Sequence, residues 1–205
     1  MSINTRAQQK AHTRDVLVAQ GKRLFARRGY SDVSLPEIVE AAGVTKGALY
    51  HHFESKAALF AAVLEDVQQQ VAREVADCAE EETDLWGQLT AGCHAFLRAS
   101  IAPDVRRIML IDGPAVLGWS QWRAIDEAAS GNHLTQILTT LMQQGTITAQ
   151  PIAPLNHLLS GAMNEAALWL ADSPEPQDLS ATTAALNRML ESLRVAPSHP
   201  HEGDR

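Results

Sequence analysis

The stretch from Ser34 to Phe53 constrains the fold more than any other part of the chain. Ser34-Leu35-Pro36-Glu37 combines a capping hydroxyl, a proline in the first helical turn and a glutamate three residues after the cap. This predicts a helix through Ile38 and Val39 to about Ala42, closed by a sharp turn at Gly43. Thr45 is a good N-cap for another short helix, from Lys46 to about Phe53. Upstream, Leu17, Gly21, Leu24 and Phe25 fall at i, i+4, i+7 and i+8, one face of a helix that Thr13 opens. Arg14, Lys22, Arg23, Arg27 and Arg28 make that helix basic, and Gly29 stands at its C-terminal end. A longer basic helix followed by two short ones across a glycine turn is the outline of a helix-turn-helix.

The rest of the chain repeats the helical period. Ser55 caps a fourth helix, in which Leu59, Val63, Val67 and Val71 recur every fourth residue to about Cys78, before the solvated run Glu80-Glu81-Glu82. Leu85, Leu89, Cys93, Phe96 and Leu97 form the next stripe. Pro103 marks a break, and Asp112-Gly113-Pro114 is expected to end the short segment that follows. Trp119, Trp122 and Ile125 give a further turn, and Leu134, Ile137, Leu138 and Leu141 a helix ending near Gly145, with Gly131 as a candidate interruption. Two broad stripes, Leu155 to Leu170 and Leu179 to Leu193, complete the pattern. No strand alternation and no internal repeat is visible. The expected fold is all-α, with about nine helices.

Charge separates the chain into two parts. The net charge of −7 alone argues against a nucleic-acid partner. Residues 1–60, however, hold nine Lys or Arg against five Asp or Glu, and residues 61–205 hold eight against nineteen. A basic head on an acidic body suits a protein that meets phosphate at one end only. No apolar run is long enough to span a membrane, and the polar N-terminus lacks a signal-peptide core, so a cytoplasmic location is expected. Cys78 and Cys93 lack the spacing of a metal site or disulfide framework; they read as structural thiols, with a redox switch as the sharper alternative. His51-His52 are adjacent and diverge by about 100° on a helix, which disfavours a metal pair. No G-x-S-x-G, P-loop, G-x-G-x-x-G or H-E-x-x-H pattern occurs, so neither an enzyme nor a cofactor is expected.

The short helix after Thr45 has the composition of a recognition helix, which enters the major groove by its N-terminal end. Thr45, Lys46, Gly47 and Ala48 lead it; Gly47 and Ala48 remove bulk, and Lys46 can reach a phosphate or a guanine edge. Val44, Leu49 and Phe53 face the other way. His51 can serve base edges or phosphate. The bland readings remain beside these: Tyr50 as packing, and Lys56 as a charge in a capping turn. Ser34 can offer a hydroxyl and a helix N-terminus to phosphate.

Residues 41–60, AAGVTKGALYHHFESKAALF, together with Thr13-Arg14, Leu24-Phe25, Gly29-Tyr30 and Ser34 to Ile38, resemble the DNA-binding head of the TetR family of bacterial transcriptional regulators. The resemblance implies that Tyr50, His52 and Lys56 contact the phosphate backbone. By their polar composition, residues 1–12 read as a flexible arm and residues 196–205 as a disordered tail; the resemblance implies a DNA-binding domain at 13–54 and an effector-binding and dimerisation domain at 55–195 between them. It implies a homodimer through the last two helices, about 151–171 and 178–194; the alternative is that their stripes only close the monomer core. It also implies a repressor released from a palindromic operator by a small, apolar or aromatic effector; the alternative is an activator or a ligand-independent regulator, since the sign of regulation depends on where the operator lies relative to the promoter. The candidate effector contacts are Phe96, Met109, Trp119, Trp122 and Trp169, with His94, His133 and Asn164 as polar handles, against an ordinary core as the bland reading. One departure is Gln20-Gly21, where the family commonly has paired alanines; a mid-helix glycine costs about 1 kcal/mol relative to alanine.

Overall fold

The computed structural model describes residues 2–172, 175 and 177–195, with backbone alone at 2–6 and 130–132. The expected disordered tail at 196–205 lies outside the described residues. Helix α1 spans Ser2–Arg28, α2 Leu35–Ala42, α3 Lys46–His52 and α4 Lys56–Glu80. Helix α5 spans Leu85–Ser100, α6 Pro103–Arg106, α7 Gly113–Leu117, α8 Trp119–Asp126 and α9 Asn132–Gln143. Helices α10, Ile152–Asp172, and α11, Gln177–Glu191, close the chain. The fold is all-α, as expected. The helix count differs slightly because π-helical turns at Arg107–Asp112 and Glu127–Gly131 divide the 103–131 stretch into shorter pieces.

The start of α1 departs from the sequence reading. Residues 2–12 continue the helix rather than forming an irregular arm. No glycine or proline precedes Gly21, and Ala7, Gln8, Gln9, Lys10 and Ala11 are strong helix formers. Polar composition alone therefore misplaced the boundary.

The second departure is at Asp112-Gly113-Pro114, where the chain stays helical. Gly113 has αR angles, and Pro114 sits in the first turn of α7, where its missing N–H costs nothing. Glycine is required there for a packing reason. A Cβ at Gly113 would lie 2.8 Å from Trp122 Cδ1 and 3.0 Å from the Ile108 carbonyl oxygen. The Trp122 indole lies across this point, and its Nε1–H donates to the Met109 carbonyl at 2.7 Å.

Gly21 has a similar cause. A Cβ there would meet Val63 Cγ2 at 3.2 Å and Leu59 Cδ2 at 3.8 Å, so the glycine lets α1 cross α4 closely. Leu17, Phe25, Ile38, Leu49, Phe53, Leu59 and Phe60 bury the seam that fixes α1 to α4 as one unit. The same core then runs along α4 into α5, α9 and α10.

Candidate nucleic-acid interface and body cavity

Three local caps set the pose of α3. The Ser34 hydroxyl accepts from the Glu37 N–H, and Glu37 Oε2 accepts from the Ser34 N–H at 2.8 Å, a reciprocal capping box. Gly43 takes the left-handed conformation at φ 64°, and the following N–H, that of Val44, donates to the Val39 carbonyl at 3.2 Å. Thr45 Oγ1 accepts from the Ala48 N–H at 3.1 Å. Leu49 and Phe53 then anchor α3 inward against the core.

What this leaves outside is the N-terminal half of α3. Thr45, Lys46, Gly47, Tyr50 and His51 are exposed, and Tyr50 is 49% accessible. Only Thr45 Oγ1, at 3.9 Å, lies near a Cβ built on Gly47, so nothing within the chain requires glycine there. Lys46 Nζ stands 5.8 Å from the Tyr50 ring centroid. His52 is half-buried beside Phe53, and its imidazole pKa is lowered, chiefly by burial and then by His51, Lys10 and Arg14. Lys10 and Arg14 thus extend the basic surface of α3 onto α1, and Arg14 lies over the Phe53 ring.

Two expected phosphate ligands are engaged within the chain. Lys56 Nζ lies 4.2 Å from the Tyr30 ring centroid and 3.5 Å from the Ser31 carbonyl. The Ser34 hydroxyl is 2.7 Å from Glu37 Oε2. Arg28 holds Glu37 from its other side at 2.5 Å, and these partners lower the Glu37 carboxyl pKa to about 2.

The head meets the body at Gly29-Tyr30. The Tyr30 N–H donates to Asp112 Oδ2 at 2.8 Å, and Arg107 lies beside Gly29. Asp112 ends the π-helical turn that also carries Met109.

Met109 faces a cavity of about 150 Å³ within the body, lined from α4, α5, α8, α9 and α10. Of the eight candidate effector contacts, the structure brings Phe96, Met109 and His133 to this cavity. Trp122 is buried behind it through the Met109 hydrogen bond, and Asn164 is buried and hydrogen-bonded to Asp126 of the lining. The remaining three lie elsewhere. His94 shares a 2.6 Å hydrogen bond with Asn187 of α11, Trp119 is 66% exposed, and Trp169 is 53% exposed on α10. Aromatic character did not distinguish a lining residue from a surface one.

Sequence reasoning missed the polar lining. Gln68 is 3% exposed on the inner face of α4, between Leu64 and Ala72 at four-residue spacing. One amide inside an apolar stripe was the available signal. Arg123 was missed too: it reaches Glu127 at 3.0 Å, Asp126 at 3.3 Å, Ser160 at 3.1 Å and His157 at 3.2 Å. Burial raises the Asp126 pKa, opposed by Arg123 and by the Asn164 hydrogen bond. Cys93 also lines the cavity, and burial raises its thiol to about 12.

Comparison with known proteins follows the same division. Residues 17–63 match the model of bacterial regulatory proteins of the tetR family, and residues 86–193 match a tetracyclin repressor-like C-terminal domain. The chain is 27% identical over 173 residues to the transposon Tn10 TetC protein of Escherichia coli, covering 84% of this chain and 87% of the relative. It is 45% identical over 58 residues to the regulator AcrR of Shigella flexneri, 28% of this chain and 27% of that one. A crystal structure of a TetR-family regulator from Pectobacterium atrosepticum superposes with a TM-score of 0.79 at 30% identity, covering 93% of this chain and 98% of the other. The regulator RolR, solved in complex with resorcinol, shares the fold at a TM-score of 0.71 and 20% identity, with 89% of each chain covered.

Proposed function

The chain belongs to the TetR family of bacterial transcriptional regulators, and we propose that it represses by holding a palindromic operator as a homodimer until a small molecule in the body cavity releases it. As a helix-turn-helix regulator it is a DNA-binding protein and not an enzyme. The observation that carries the reading is the exposed half of α3. Its inward face is fixed by Leu49 and Phe53, while Lys46, Gly47 and Tyr50 project outward with no packing role that demands them.

In this reading residues 13–54 form the operator-binding head and residues 55–195 the body. Thr45, Lys46 and Gly47 approach the groove, where a missing Cβ permits close contact. Tyr50, His51, His52 and Lys56 serve phosphate, with Lys10 and Arg14 adding to the local field. Ser34 joins them once Glu37 turns toward Arg28, which already holds it.

One α3 covers half a site, so a two-fold partner is needed to read an inverted repeat. Helices α10 and α11 supply a fitting face. Leu158 is 71% exposed, and Trp169 and Met189 are about half exposed, next to the small exposed residues Gly161, Ala181 and Ala185. Large exposed apolar groups interleaved with small ones suit close helix packing.

RolR was solved with resorcinol, and a small aromatic molecule is the effector class proposed here. The redox alternative finds no support at Cys93, whose buried thiol stays protonated.

The test is sequence selection from random duplex DNA with purified protein at a stated salt concentration. An enriched inverted repeat, with half-sites about one helical turn or a multiple apart, is expected. No enrichment at any salt concentration, with or without small aromatic compounds, would overturn the reading.

A further inference from the structure

We propose that the body cavity takes a neutral, single-ring ligand bearing a hydroxyl or comparable hydrogen-bonding group, and that the Gln68 side-chain amide reads that group. The inference rests on the reading of this cavity as the effector site.

Size comes first. A cavity of about 150 Å³ is lined mainly by apolar side chains such as Val71, Leu89, Phe96, Leu134 and Met163. That volume matches a molecule the size of benzene, a single ring.

The polar demand comes from α4. Both Gln68 side-chain atoms, Oε1 and Nε2, are fully buried, and neither meets a hydrogen-bonding partner in the protein. Gln68 is 3% exposed and lines the cavity. A buried amide needs a hydrogen-bonding partner, and here the protein supplies none. Its carbonyl accepts and its NH₂ donates, and a hydroxyl matches both at once. Asn156 of α10 adds a buried, unpartnered carbonyl oxygen to the same lining.

Charge sets the third limit. Arg123 is the cation of the lining, and Glu127, Asp126, Ser160 and His157 engage four of its five N–H groups. Two carboxylates to one guanidinium leave no attraction for an incoming anion. A carboxylate ligand would enter a space with two acidic neighbours and an arginine already paired to both of them, at a steep desolvation cost.

The probes that test this are p-cresol, p-xylene and p-toluate, titrated calorimetrically into the full-length protein. p-Cresol and p-xylene differ by a hydroxyl against a methyl of nearly the same size. The expected result is binding of p-cresol about tenfold tighter than p-xylene, with p-toluate weaker than both. Gln68→Leu is expected to remain folded, since an apolar group of similar shape replaces one without a protein partner. In that variant the preference for p-cresol over p-xylene should vanish. Equal binding of p-cresol and p-xylene to the wild type would overturn the proposal, and would mean that Gln68 is satisfied by water alone. Tight binding of p-toluate, or no binding of any probe, would overturn it as well. The wild-type comparison decides the matter even if Gln68→Leu fails to fold. Should p-cresol bind with the expected preference while the selected operator stays bound, the ligand class stands and the derepression reading falls.

Discussion

The backbone N–H of Tyr30, at the end of the first helix, donates to the carboxylate of Asp112 at 2.8 Å. This bond ties the DNA-binding head to the π-helical turn that also presents Met109 to the cavity. Only Leu110 and Ile111 therefore stand between a cavity wall and a head contact. Asp112→Ala should cost about 1–2 kcal/mol of stability, as expected for losing a partly exposed hydrogen bond to a charged group. Asp112→Asn, which keeps an acceptor oxygen, should cost less. Both variants should bind operator while responding less to ligand. Thermal unfolding, with operator release in the same preparations, checks the order; full ligand response in Asp112→Ala would remove this bond from the coupling path.

Lys46 projects from the exposed turn of α3 and makes no ion pair among the described residues. Lys46→Ala should weaken operator binding and lower the salt dependence by roughly one unit of slope, without changing the oligomeric state. Tyr50→Phe should weaken binding by about 1 kcal/mol through the lost hydroxyl. Salt-titrated binding isotherms and sedimentation measure both effects. An unchanged salt slope in Lys46→Ala would show that this ammonium meets no phosphate.

His52 provides a pH signature. Burial and the neighbouring His51, Lys10 and Arg14 depress its imidazole pKa in the free protein. A phosphate in contact would raise it, so binding takes up a proton. Operator affinity should then increase several-fold between about pH 8 and about pH 6, and His52→Gln should flatten the profile. Affinity that rises with pH would contradict the phosphate assignment.

Gly21 illustrates both what the sequence discloses and what it withholds. Helix propensity alone favours Gly21→Ala by about 1 kcal/mol. The structure places Val63 Cγ2 only 3.2 Å from the Cβ that alanine would add, and Val63 is a fully buried, stiff β-branched residue. A net loss of stability is expected, measured as a lower Tm in Gly21→Ala. An increased Tm would mean that α1 and α4 separate more easily than their packing implies.

The head was legible because its signals are local. The capping box at Ser34, the left-handed Gly43 and the Thr45 cap each lie within a few residues of what they determine. The body was legible only as stripes. Which tryptophan packs inward depends on where α8 and α10 turn, and no local rule fixes that. Trp122 is buried while Trp119, three residues earlier on the same helix, is exposed. Gln68 was overlooked because the apolar period was read and its interruption was not. The helical start of α1 was overlooked because polar residues suggested a loop, although none of them breaks a helix.

The most direct test of a dimer that sets two α3 helices on an inverted repeat is a footprint of the selected operator by the wild type and by Trp169→Glu, each with its sedimentation behaviour. The wild type should sediment as a dimer and protect two half-sites about one helical turn apart. Trp169→Glu should sediment as a monomer and protect neither half-site at the same concentration. Protection of a single half-site by the wild type, or full protection by a monomeric variant, would contradict it.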